Sequence, residues 1–203
     1  MDKIDYKKTN KALYAPSADA PSLVEAPEMR VWSLQGAGDP NTSAAYREAV
    51  EALFTLSYGV KFAWKRDPAG ADYTVMPLEA LYPPEVASLG KAEWRWTLFI
   101  RQPDGTTAEM AEAVREEAMR KKKLPALAEA KFGVWNEGLS AQMLHIGSFD
   151  EEGPTMARLN AYIREAGLIP NGEHHEIYLS DFRRTEPAKL KTILRQPVRR
   201  NEG

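Results

Sequence analysis

The sequence predicts an α+β protein made of a duplicated β-α-β-β unit, with antiparallel sheets, helices on one side and a ligand groove between the halves. Three observations lead there. Apolar residues recur at helical spacing in two segments, Tyr46, Ala49, Val50, Leu53 and Phe54 in one, and Met156, Leu159 and Ile163 in the other, as in helices with one buried face. Other runs alternate in polarity, most cleanly Glu93-Trp94-Arg95-Trp96-Thr97-Leu98-Phe99-Ile100-Arg101, as half-buried strands do. Both halves then read in one order: strand, turn with acidic residues and proline, helix, strand, strand. That is a degenerate duplication. Two such units leave a concave groove where they meet, a common place for a ligand.

The elements follow in order. Residues 1–28 are polar and broken by Pro16, Pro21 and Pro27, which predicts an extended arm packed on the surface of the domain rather than a helix. Residues 29–203 form one domain of two pseudo-repeats, about 29–103 and 140–199, joined by a helical connector. In the first repeat 29–36 is a strand and 36–40 a turn, and Asn41, Thr42 and Ser43 offer caps for a helix over about 43–60. The turn at 67–70 leads to a strand at 73–79, whose Pro77 suggests an edge or a bulge. Pro83-Pro84 stops regular structure before the alternating strand at 93–101. Residues 107–122 make an amphipathic helix, and its basic end, Arg120-Lys121-Lys122-Lys123, complements the negative helix terminus. The second repeat has a strand at 142–147, an acidic turn at 150–154, a helix at 155–166 and strands at 174–179 and about 191–198.

Composition bounds the function. At 203 residues the chain can bury a sizeable core. A net charge of −2 argues against nucleic acid as the main partner. No cysteine is present, which removes disulfides and thiolate metal sites. No apolar run approaches the ~20 residues of a membrane span, and the first residues lack the apolar core of a secretory signal. A soluble, cytoplasmic protein is expected.

The residues that point to chemistry lie in His174-His175-Glu176-Ile177-Tyr178-Leu179. Alternation sends Ile177 and Leu179 one way and Glu176 and Tyr178 the other, placing a carboxylate beside a phenol on the face opposite an apolar pair. Glu79 is the first-half counterpart of Glu176, and two acids from equivalent strands would face one groove. Apolar walls disfavour the charged form there and suit a carboxylate to cation binding or general acid–base work. Trp94 and Trp96 share a strand face and would form a flat wall for a planar aromatic or cationic ligand, although large aromatics also build cores. His174 and His175 point to opposite faces and cannot bind one ion, so no metal site is expected. Gly36-Ala37-Gly38 lacks the further residues of a phosphate loop, and no G-x-S-x-G elbow occurs.

The segment 174–181, continued by Arg183-Arg184-Thr185 and 189–198, resembles GyrI-like small-molecule-binding proteins. So do 36–43, 72–79, Trp94-Arg95-Trp96-Thr97-Leu98 and Leu144-His145-Ile146-Gly147, in the family's order. The resemblance implies a tandem SHS2 fold, related to effector-binding domains of multidrug-sensing transcription activators. It implies that Glu176 is the groove glutamate, with aromatic residues around it holding lipophilic, often cationic compounds; Trp135 and Tyr82 join Trp94, Trp96 and Glu79 as ligand-binding candidates. Where many relatives carry a tryptophan after Pro-Leu-Glu-x-Leu, this chain has Tyr82 followed by Pro83-Pro84.

Two functions fit these residues. The resemblance to longer stand-alone members implies a hydrolase that adds water to the cyclopropane of DNA-alkylating compounds and so detoxifies them. Glu176 would be the base, with Tyr178 or Tyr58 as hydrogen-bond donor to the developing oxyanion. The alternative is a non-catalytic drug-binding, sequestering or effector-sensing module. Residues 1–28 are too short and proline-broken for a helix-turn-helix. No cofactor, direct nucleic-acid contact or membrane association is expected; a monomer fits the reading, and an interaction with DNA gyrase stays open.

Overall fold

The computed structural model describes residues 3–68 and 70–201. Two short helical turns, α1 (Tyr6–Thr9) and α2 (Lys11–Tyr14), precede strand β1 (Ser22–Ala26). The first repeat supplies β2 (Met29–Ala37), α3 (Ala44–Arg66), β3 (Glu79–Tyr82) and β4 (Arg95–Arg101). Helices α4 (Ala108–Lys121) and α5 (Ala126–Glu129) connect it to β5 (Lys131–Trp135). The second repeat comprises β6 (Gly138–Ile146), α6 (Gly153–Glu165), a short β7 (Leu168–Pro170), β8 (His174–Tyr178) and β9 (Lys191–Arg200). Among the described residues no helix is long and apolar enough to cross a membrane.

The strands form one antiparallel sheet in the order β1-β6-β9-β8-β3-β4-β2-β5, with β7 beside β9. The duplication is visible in that order. In each repeat the first strand lies outermost, the third next and the second innermost, and the halves meet where β3 pairs with β8. The outer ends meet as well. β1 runs into β2 across Pro27-Glu28, and β5 into β6 across Asn136-Glu137. One register holds through both kinks, with Ala26 opposite Gly138 and Met29 opposite Trp135. The two kinked strands therefore border both ends of the sheet, which curls strongly into a half-barrel.

Helix α3 starts where the Ser43 hydroxyl accepts from Tyr46 N–H at 3.3 Å, a cap worth about 1 kcal/mol. It buries Tyr46, Ala49, Val50, Leu53, Leu56 and Val60 against β2 and β4. The helix runs six residues past the expected end at 60, because no breaker intervenes before Pro68, which holds Asp67 extended. Two glycines allow close packing. A Cβ at Gly36 would stand 2.2 Å from the Trp96 indole, and one at Gly59 would stand 2.4 Å from Val114 on α4.

Two expectations need correction. Residues 3–28 pack on the domain but are not extended throughout: Asp5 caps α1 by accepting from Lys7 N–H at 3.1 Å, α2 buries Leu13 and Tyr14, and only β1, paired with β6 along its length, is a strand. The run between Pro21 and Pro27 is free of proline and can donate to a neighbouring strand. Residues 73–79 do not form a strand either. Only Tyr73 bridges, to Ile4, and β3 begins at Glu79, two residues after Pro77, which has no N–H to give a ladder.

Candidate functional site

The faces of the sheet differ at the join between halves. Ala80 lies opposite Glu176, whereas Glu79 lies opposite Ile177 and Leu81 opposite His175; directly opposed residues share a face. Glu176 and Tyr178 therefore share the face turned towards α3, where a cleft of about 1360 Å³ opens. Its acidic end is built by β8, by Tyr82 at the end of β3, by Trp94, and by Phe149 and Glu152 in the turn before α6.

Hydrogen bonds orient the carboxylate. The Tyr178 hydroxyl donates to Glu176 Oε2 at 2.8 Å and lies 3.0 Å from the Tyr82 hydroxyl. Burial, with the negative charge of Glu176 next in weight, pushes both phenols well above their ordinary range, so both remain protonated donors. His174 Nε2 stands 3.6 Å from Glu176 Oε1. Aromatic rings close round this group: Trp94 packs edge-on against Tyr82 at 5.5 Å, and Phe149 against Tyr178 at 5.6 Å. Phe182 joins Phe149 and Tyr178 at 6.3 and 6.5 Å.

A second carboxyl lines the same cleft. The three acids before α6 divide their work. Asp150 pairs with Lys91 at 3.2 Å, and Glu151 accepts from the Ser148 backbone N–H and hydroxyl at 3.2 and 2.8 Å. Glu152 sits at the N-cap of α6 without capping it, and its Oε1 is buried with no hydrogen-bond partner. Burial first, then the charge of Glu176, push its carboxyl up to about 9. A helix N-terminus favours the ionised form, and here desolvation outweighs it. The cleft thus sets Glu152, whose burial favours the neutral carboxyl, in the same lining as Glu176, which accepts from Tyr178, the arrangement of a general acid–base pair.

Comparison with known proteins places the chain. The GyrI-like small molecule binding domain matches residues 98–199. The crystal structure of an uncharacterized conserved protein from Listeria innocua superposes with a TM-score of 0.89 at 36% identity, covering 97% of this chain and 100% of that one. The chain belongs to the GyrI-like family. A hydrolase from Listeria innocua gives a TM-score of 0.86 at 36% identity, over 97% of this chain and 100% of that one. The EcmrR C-terminal domain shares the fold alone, with a TM-score of 0.57 at 14% identity over 89% and 98% of the two chains. No curated protein matches the chain.

Within this GyrI-like fold the expected residues separate. Glu176, Tyr178, Tyr82 and Trp94 come together in the cleft. Trp96 does not: it is 3% exposed, edge-on to Tyr46 at 5.2 Å, with its indole N–H donating to Gly38 O. Trp94 precedes β4 in a turn, so the two indoles form no common wall. Trp135 packs on Phe99 at 5.7 Å, away from the cleft. Tyr58 lines the cleft but lies about three turns of α3 beyond Tyr46 and makes no hydrogen bond to Glu176 among the described residues.

Glu79 is also displaced, by one step of strand parity. It is fully buried on the other face, 2.9 Å from His175 Nε2. His175 Nδ1 reaches Glu137 Oε1 at 2.7 Å, and Arg195 holds Glu137 Oε2 at 3.1 Å and Gln142 Oε1 at 3.0 Å. Burial opposes the imidazolium, yet Glu137 and Glu79 together raise His175 to about 9. Burial likewise opposes ionisation of Glu137, while His175 and Arg195 bring it down to about 2. This network braces the sheet from behind the site. Among the described residues no group of three or more His, Cys, Asp or Glu could hold a metal ion.

Glu152, Phe149 and Phe182 escaped the sequence reading. An acid just before a helix reads as a cap, and only the partners of Asp150 and Glu151 reveal that Glu152 is left over.

Proposed function

We propose that the cleft binds lipophilic, planar or cationic small molecules and hydrolyses those bearing an activated cyclopropane, detoxifying DNA-alkylating compounds. The supporting observation is that Glu176, held by Tyr178, and the buried, unpartnered Glu152 line one cleft with aromatic walls. The likeness to a hydrolase at 36% identity across the chain agrees with it.

In a cyclopropane conjugated to a carbonyl, Glu176 takes a proton from water as the water oxygen bonds to the less hindered ring carbon. The ring C–C bond breaks and its electron pair passes through the conjugated system to the carbonyl oxygen. Glu152 gives that oxygen its proton, and proton exchange between the two carboxyls through solvent restores the starting state. Tyr178 holds Glu176 in place, and Trp94 and Phe149 pack against the planar substrate.

General-base catalysis contributes about 10²–10⁴-fold. Glu176→Gln, which keeps shape and removes the base, is expected to cut turnover of a cyclopropane-bearing alkylator by that factor while leaving binding in the same range. Single-turnover product analysis by mass spectrometry measures it. Undiminished turnover in Glu176→Gln would refute the mechanism. Binding with no product in the unmodified protein favours the second reading, a sequestering or effector-sensing module, which the family's description as a small-molecule-binding domain supports.

A further inference from the structure

The proposed chemistry occupies one end of the cleft. Beyond Phe54 the outer stripe of α3 continues as Tyr58, Phe62 and Arg66, each four residues on and so one turn further along the same face. From Val50 to Arg66 this wall extends about 24 Å. Tyr58 and Phe62 are 48% and 54% exposed, and large exposed aromatics gathered along a cleft mark a binding surface. Across from them α4 presents Lys121, and Lys7 of α1 also reaches the lining.

Towards Glu176, the lining cations Lys91 and Arg183 pair with Asp150 and Asp181, and Arg47 donates to Thr42 O at 2.9 Å. Two acids along the lining are already matched, Glu51 with Lys122 at 3.0 Å and Glu117 with Lys121 at 2.5 Å. Arg66 and Lys7 add positive charge to that balance, while the opposite end carries Glu176.

We infer that the far end is a second subsite, which takes an anionic group, a sulfonate or carboxylate, borne on an aromatic frame stacked over Tyr58 and Phe62. The cleft then selects elongated ligands whose reactive or cationic head meets Glu176 and whose acidic tail meets Arg66. This rests on the cleft being a ligand site and is independent of catalysis. A guanidinium suits the role because its planar fork pairs with two oxyanion oxygens at once.

Two fluorescent probes test it: anilinonaphthalene sulfonate for the tail subsite and ethidium, an aromatic cation without an acid group, for the head. Arg66 and Lys121 are both exposed, so an Arg66→Gln/Lys121→Gln variant is expected to fold. It should weaken the sulfonate roughly tenfold, as loss of a charge-assisted hydrogen bond does, and leave ethidium unchanged. Salt of about 0.5 M should weaken the sulfonate similarly in the unmodified protein. Phe62→Ser should also weaken the sulfonate. Glu176→Gln should weaken ethidium alone. Sulfonate binding that is absent, or indifferent to the double variant, overturns the subsite even when ethidium still reports Glu176. A sulfonate that responds as expected beside an ethidium indifferent to Glu176→Gln keeps the subsite and counts against the role given to Glu176.

Discussion

Glu176 and Glu152 are chemically alike and differ by surroundings, which makes pH the sharpest probe of each. Glu152 donates a proton only while its carboxyl stays neutral, so turnover should fall as pH rises through about 9. Glu152→Gln cannot transfer a proton and should lower turnover about 10²-fold, and a pH–rate profile should show the alkaline limb gone. His175 gives a stability prediction of separate origin. Its raised value means that its stabilisation is complete below 6.5 and lost as pH climbs from 6.5 towards 9. Glu152, held neutral in the fold, costs stability as pH rises from 4.5 towards 9. Glu137 works in the other direction, stabilising above 4.5 and losing that as pH falls towards 2. Melting temperature should therefore decline most steeply between pH 6.5 and 9, and again in strong acid. His175→Gln leaves the buried Glu79 without its partner and Glu137 with Arg195 alone, and should cost about 3–5 kcal/mol by denaturant unfolding. At this scale alternation alone sufficed for Glu176 and Tyr178. The repeat analogy misled for Glu79, because equivalent position in the two halves does not fix which face a residue takes, and the observed register sets Ala80, not Glu79, opposite Glu176.

Helices were more legible than strands. The apolar period of α3 and its Ser43 cap are written in the sequence, whereas the cap of α4, Thr107 accepting from Met110 N–H at 3.1 Å, emerges only from the structure. β1 and β5 are five residues each and were missed, since a short strand has too few alternations to stand out beside proline or glycine. Packing between elements leaves a subtler mark in Gly59, which a propensity argument would count as a weakness in a helix. Its missing Cβ is what admits Val114. Gly59→Ala should therefore destabilise the protein by about 1–3 kcal/mol despite the better helix propensity of alanine, as read by thermal or urea melts. Its effect should be mild at Glu176 and larger on probes that sit along α3 and α4.

The whole molecule shows a duplication that element order revealed and a closure that it did not. Order is local information; which distant strands meet is not, and no property of residues 22–33 names residues 131–142 as their partners. The first residues also supply carbonyls to the brace behind the site: Leu13 O accepts from Arg195 at 2.6 Å, and Ala12 O from Gln142 at 2.6 Å. A variant lacking residues 1–28 strips β6 of a neighbour and leaves Arg195 short of an acceptor. It should lose its cooperative melt and aggregate, which circular dichroism and size-exclusion chromatography would show. The ladder that crosses both kinks carries one more consequence, for time rather than for energy. Ser22 waits for Gln142, and Met29 for Trp135, so the pairs that close the sheet join residues more than a hundred positions apart. Closing such loops precedes any reward from their contacts, and chains dominated by distant pairings fold slowly. During synthesis the first repeat must therefore stand with an open edge until β5 and β6 emerge, a window in which another copy could pair in their stead.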